Sequence, residues 1–373
     1  MIPRARHLVA AALSSALLMA PAFTGIANAA LDSNAALDSR VFAVSLAKTA
    51  VDVKRVADYW TPDQLKQADS YSPATPGTQA ATPAPSTSAQ ASNPATQAAT
   101  TVTRAVAAQA VSPVLPRKGS VARTMGKVFF RFGDKEYWCS ASAVAARNRS
   151  VVATAGHCAY DPRQAKAADY WIFVPNPGPN GETPDGIYVG SSISIHEDWS
   201  GKGDYDFDYA FVTVHRGFKW EAKDGRYVMK DVGRLQDNVG GQGIELNKKP
   251  TTYTVAAFGY PAGAQPDGTR PFDGKRLEMC KEGPTRWTSA VSLDLQKGVQ
   301  LLNCDFSPGA SGGPWLIGFN KDRWTGHLNG VNSLTWNRDA KGWYDAVSSP
   351  YFDTTAGAVY RRAAAQTTPP NVT

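Results

Sequence analysis

The chain has 373 residues, 43% hydrophobic and 10% aromatic, which is enough for one large or two medium folded units and excludes a wholly disordered protein. Its 39 Lys and Arg against 32 Asp and Glu leave a net charge of +7. The basic residues are spread along the chain with no dense cluster and no nucleic-acid motif, so a nucleic-acid partner is not expected.

In chain order, Arg4 and Arg6 precede an apolar run over 8–23, and Ala27, Asn28 and Ala29 follow as a small-residue cleavage site. Residues 1–29 therefore read as a signal peptide, and a secreted, extracellular product is expected. The run is too short for a stable membrane span, and no later segment approaches the needed length, so no membrane domain is expected. Residues 30–70 have a helical pattern. Within them Thr61, Pro62 and Gln64 offer an N-cap, a proline at the first helical position and a glutamine at the third. This is the pattern of a short helical pro-segment.

From Ser70 to Thr103 there is no Asp, Glu, Lys or Arg, and the segment is mostly Ala, Thr, Ser, Pro and Gln with few large apolar residues. Such a segment cannot bury enough surface to fold, so 71–118 reads as a disordered Ala/Pro/Thr/Ser-rich linker. Arg104, Arg117, Lys118 and Arg123 follow in exposed chain open to proteolysis, and maturation is expected to remove everything before about residue 118.

Residues 119–355 change texture to short apolar or alternating runs broken by Gly, Pro, Asn and Asp. Strands are expected over 127–132, 137–144, 150–153, 170–174, 187–195, 209–215, 253–258, 299–304, 314–319 and 330–335. An all-β double antiparallel barrel accommodates that many strands better than one small barrel. Residues 356–373 are expected as a C-terminal tail. Trp138, Trp171, Trp199, Trp287, Trp315, Trp324, Trp336 and Trp343 follow no fixed period and read as core rather than a carbohydrate-binding face. Asn148, Arg149 and Ser150 fit a glycosylation sequon.

The four cysteines are Cys139, Cys158, Cys280 and Cys304, and export favours their oxidation. Three pairings exist; the sequential one closes two short loops, each worth roughly 3 kcal/mol in the chain-entropy model. The rival is a zinc site, which no CxxC or HxxxH spacing supports, so no metal is expected.

Beyond His7 the histidines are His157, His196, His215 and His327. His157 stands in Thr154-Ala155-Gly156-His157-Cys158, directly after a β-branched run, where small residues let an imidazole project from a tight turn. Downstream, Pro308-Gly309-Ala310-Ser311-Gly312-Gly313-Pro314 is a glycine-rich turn that exposes one serine and aims successive backbone N–H groups into one space. Acyl transfer needs a serine activated by a base and fixed donors for the oxyanion, here expected from the amides of Gly309 and Ser311.

Together these two motifs resemble the chymotrypsin-like, or trypsin-like, serine peptidase family, over roughly 124–351. The order His before Ser, and Cys139 and Cys158 bracketing the histidine strand, agree with that resemblance. The family order implies an Asp between them. Asp208, ahead of Tyr209-Ala210-Phe211-Val212, is the choice, with Asp206 and Asp204 as competitors. The resemblance is nearer the secreted bacterial branch that includes glutamyl endopeptidases than animal trypsins. Ala310 stands where trypsin-type zymogens carry the Asp that captures the new amino terminus, so the pro-segment must act in another way, by covering the cleft or aiding folding. Asn332 stands where glutamyl endopeptidases place a pocket histidine, which puts specificity for acidic residues in doubt. Asn332 and Ser333 are expected to line the substrate pocket on an edge strand that pairs with substrate backbone.

The function expected is a secreted serine endopeptidase, a monomer acting on protein or peptide substrates with the triad His157, Asp208 and Ser311 and no cofactor. The alternatives are a non-catalytic peptide-binding protein on the same fold and an esterase with the same triad. An α/β-hydrolase is disfavoured by the chain order of the triad.

Overall fold

The computed structural model describes residues 35–71, 110–114, 123–224, 226–339 and 341–367. The expected signal peptide and most of the expected linker lie outside the described residues.

The first elements are β1 (Val41–Ser45), α1 (Ala50–Tyr59), α2 (Pro62–Gln67) and β2 (Asp69–Ser70). Thr49 and Thr61 each close a capping box, with Asp52 and Gln64 answering, and Pro62 opens α2. The segment is not wholly helical as expected, because Val41, Phe42 and Val44 favour extended chain and β1 pairs antiparallel with a barrel strand.

The first barrel comprises β3 (Met125–Phe132), β4 (Lys135–Val144), β5 (Val151–Thr154), the small hairpin β6 (Tyr160–Asp161) and β7 (Lys166–Ala167), β8 (Asp169–Pro175), β9 (Tyr188–His196), the helix α3 (Glu197–Lys202) and β10 (Ala210–Val214). Its strands run β9-β10-β5-β4-β3-β8, and β8 pairs back with β9, which closes six strands into a barrel. Alternate residues such as Val128 and Phe130, Cys139 and Ala141, and Ile193 and Ile195 fill its interior, the period-2 pattern of strands. The outward residues Phe129, Ile172, Val174, Ile187 and Val189 are buried too, because Val53, Val56, Ala57, Trp60 and Leu65 of the N-terminal segment cover them. Each large apolar side chain buried there stabilises the docking by about 1.5–3 kcal/mol before ordering costs.

A hairpin of β11 (Gly217–Lys223) and β12 (Arg226–Gly233), buried at its base through Phe218, and the short helix α4 (Leu235–Val239) lead to the second sheet. That sheet contains β13 (Gly243–Ile244), β14 (Thr254–Gly259), β15 (Glu278–Ala290), β16 (Leu295–Leu302), β17 (Pro314–Asn320), β18 (Thr325–Val331), β19 (Leu334–Trp336) and β20 (Ala346–Pro350), in the order β13-β18-β17-β14-β15-β16-β20-β19. Strands β18 and β19 are almost continuous in sequence yet lie far apart in this order, so the sheet must curl until its two sides share one chain. The double barrel is therefore present, with two short parallel pairings, β2 to β4 and β13 to β18, added at its edges.

Two boundaries differ from expectation. Val111 and Val114 form bridges with Ile244 and Gly241, so the linker is already docked at 110–114, ahead of residue 119. The expected tail begins as α5 (Thr354–Ala365), capped by Asp353, with Ala356, Val359, Tyr360 and Ala363 buried in the core between the barrels. Asn148 ends in the same place: its Nδ2 donates to the carbonyls of Ala363 and Gln366, so the amide that a glycan would need is engaged.

Candidate active site

Strand β5 ends at Thr154, and Ala155 leads into a 3-10 turn over Gly156–Cys158 that carries His157. Gly156 is needed because a Cβ there would meet the Trp199 ring at 2.9 Å and Asp208 Oδ1 at 3.1 Å. The disulfide Cys139–Cys158 ties this turn to β4, and the second disulfide joins Cys280 to Cys304. The donor atoms of Cys139, His157 and Cys158 cluster within 4.8 Å, but the two sulfurs are bonded to each other, so the group offers no thiolate pair to a metal.

Asp208 follows a second 3-10 turn, Tyr205–Phe207, and is fully buried. Its Oδ1 accepts from the His157 amide at 2.8 Å. Its Oδ2 is 2.8 Å from His157 Nδ1 and accepts from Ser333 Oγ at 2.6 Å. A carboxylate that only accepts holds the imidazole proton on Nδ1, which leaves the lone pair of the neutral ring on Nε2. That Nε2 is buried and has no hydrogen-bond partner among the described residues.

The competing carboxylates serve elsewhere. Asp204 caps the turn by accepting from the Asp206 amide, and burial pushes its carboxyl up to about 6. Asp206 Oδ1 accepts from the amides of Gln296 and Lys297 and so fastens the turn to β16. Two other histidines are structural: His196 stacks on Phe207 with ring centres 3.9 Å apart and caps α3, and His215 Nε2 lies 2.8 Å from the Ala47 carbonyl. Burial lowers the pKa of both.

The Ser311 turn is shaped by backbone. Gly309 and Gly312 have φ of 100° and 79°, a region that side chains strain. Space is as restrictive as φ: a Cβ on Gly309 would strike the Trp138 ring, one on Gly312 would strike Thr154 Oγ1 and the Ser140 carbonyl, and one on Gly313 the Phe258 carbonyl. Ser140 of β4 clamps the turn from the first barrel, its amide donating to the Ser311 carbonyl and its hydroxyl to that of Gly309, both at 2.8 Å. The amides of Gly309 and Ser311 themselves have no acceptor among the described residues.

Asn332 and Ser333 both reach this seam. Asn332 is buried, its Nδ2 donating to the carbonyls of Phe258 and Ala310 while its Oδ1 accepts from Trp315 Nε1, so the side chain faces into the Ser311 turn. Ser333 bonds Asp208. Ser140, Trp138 and Tyr71 were not anticipated. Tyr71 lies at the border of the expected pro-segment and linker, and its ring centre is 6.0 Å from that of His157.

The closed barrel, the curled second sheet and a serine turn at their seam are the architecture of chymotrypsin-like serine peptidases, and the solved structures that the chain resembles are serine proteases. The chain is similar to the crystal structure of a thermostable serine protease, AL20, from an extremophilic microorganism, with 29% identity over 66% of this chain and 99% of that one and a TM-score of 0.53. It is equally similar to the protease Anisep from Arthrobacter nicotinovorans, at 28% identity, 68% and 100% coverage and a TM-score of 0.53. No family model and no curated protein sequence matches the chain.

Proposed function

We propose that this peptidase is a secreted endopeptidase that cleaves peptide bonds through an acyl-enzyme on Ser311. The observation that carries the reading is the His157–Asp208 pair, bonded at 2.8 Å and leaving Nε2 as acceptor, beside a serine turn whose two amides at 309 and 311 are unengaged among the described residues. Ser311 Oγ attacks the scissile carbonyl carbon and passes its proton to His157 Nε2. The negative charge on the carbonyl oxygen is met by the amides of Gly309 and Ser311, while Asp208 stabilises the imidazolium and does not take its proton. Collapse breaks the C–N bond, and Nε2–H protonates the leaving amine. Water then repeats the sequence on the ester, giving up its proton to Nε2, and Ser311 leaves with that proton. Nucleophile, base and oxyanion donors are all protein groups, so the reaction calls for no cofactor.

Export is supported by the amino-terminal pattern and by the two disulfides, which persist in oxidising surroundings. The test is labelling of the processed protein with a fluorophosphonate, alongside hydrolysis of a quenched peptide library. Both are expected in wild type and lost in Ser311→Ala and His157→Ala. A folded, processed wild type that neither labels nor cleaves would overturn the reading in favour of a peptide-binding protein, and ester turnover without amide turnover would make it an esterase.

A further inference from the structure

Residues 69–71 of the N-terminal segment lie along β4 next to His157. After β1 has paired with β9 and α1 has covered the outer face of β8, with Trp60 Nε1 donating to the Tyr170 carbonyl at 2.6 Å, the chain turns along β4. Strand β2 pairs with it in parallel, Ser70 opposite Trp138, and the Tyr71 amide donates to the Trp138 carbonyl at 2.9 Å. This is the strand that clamps the Ser311 turn two residues later, through Ser140.

Tyr71 itself is 8% exposed. Its ring meets Phe130, Phe132 and Tyr137 at 5.4, 5.5 and 4.9 Å between centres, and its fourth ring neighbour is His157. Tyr71 and His157 line the same cleft of about 360 Å³. With Tyr71 seated, His157 is only 2% exposed and its Nε2 is buried with no partner among the described residues. Acyl transfer needs that nitrogen to meet both the serine hydroxyl and the leaving amine.

Resting on the endopeptidase reading, we infer that the groove along β4, between His157 and the rings of Phe130, Phe132 and Tyr137, is a binding site for an extended chain bearing an aromatic side chain, that residues 69–71 occupy it, and that this keeps the uncut protein inactive until the N-terminal segment leaves. The occupant is chosen by the site: the Trp138 carbonyl takes the backbone N–H as an added strand does, and the Phe130, Phe132 and Tyr137 rings take the side chain. While the segment is covalently attached it rebinds at high effective concentration, and a cut after Tyr71 removes that advantage.

The experiment follows the rate of fluorophosphonate labelling of Ser311 in the exported full chain, before and after a cut between residues 71 and 110. Wild type is expected to label at least 10-fold faster after the cut. Uncut Tyr71→Ala is expected to label as fast as cut wild type, and uncut Tyr71→Phe as slowly as uncut wild type. Equal rates before and after the cut in wild type would overturn the inference even if the Tyr71 variant failed to fold, because that arm uses the native sequence alone. Absence of labelling in every form, cut wild type included, would instead count against the peptidase reading.

Discussion

The two barrels furnish the site with different materials. The first supplies side chains: His157 and Asp208 sit at the ends of β5 and before β10, and their geometry is fixed by bonds to one buried carboxylate. The second supplies backbone: the Ser311 turn owes its shape to Gly309, Gly312 and Gly313 and to Asn332 beneath it. A half built on side-chain chemistry should lose activity, not fold, when one atom changes. A half built on backbone contact should lose fold when one methyl group is added.

The largest effect tests the first half. Asp208→Asn keeps the shape but presents an amide where Nδ1–H needs an acceptor, so the imidazole is held in the wrong tautomer. In an Asp-oriented triad such a change lowers kcat by about 10⁴-fold. That fall is expected here in peptide hydrolysis, with the thermal midpoint nearly unchanged, and a loss under tenfold would mean that Asp208 does not orient the base. Next in size, Gly312→Ala should strike the other half. It combines a positive φ with a Cβ driven into Thr154 Oγ1 and the Ser140 carbonyl, and a destabilisation of roughly 3 kcal/mol is expected from overpacking and backbone strain together. Denaturant unfolding measures it; a midpoint equal to wild type would show that the two barrels can part at this seam without cost.

The same contrast explains what the sequence revealed. Small residues around His157 and glycines around Ser311 are local signals, because a tight turn or a backbone approach has to be written where it occurs. The carboxylate that pairs with His157 is only partly local: Asp204, Asp206 and Asp208 look alike in sequence, and the structure separates them by what each accepts. Asn332 was legible as a residue near the site but not in its orientation, which depends on Phe258 and Trp315 from other strands. Strand β15 is absent from the expected strands; it carries Gly283 and Pro284, which are poor strand formers, and in the fold they lie near a register shift in the pairing with β14. Hairpin β11–β12 was hidden by its exposed Lys, Glu and Asp residues. Strand β1 and Tyr71 could not be placed at all, since their partners are more than fifty residues away beyond a segment with no pattern of its own.

The smallest effect concerns the plate between the halves. The Trp138 ring presses on Gly309 from the first barrel, and Lys127 Nζ lies 3.7 Å from a ring centre of Trp138. Burial lowers the Lys127 ammonium to about 7 against a faint opposing pull from Asp273. An unfolded lysine titrates near 10.4, so between about pH 7 and 10 the unfolded chain holds the extra proton and stability should rise with pH; below about pH 7 both states are charged and the full cost of burial is present. Attraction between ammonium and indole offsets part of that cost, as does solvent that reaches Lys127 through the cavity it lines with Trp138. Lys127→Met should therefore stabilise the protein by on the order of 1 kcal/mol at pH 6, with the gain shrinking towards pH 10, as read from paired denaturant curves. A variant less stable than wild type at pH 6 would mean that the cation on Trp138 outweighs its own desolvation, and that the charge helps hold the plate against the serine turn.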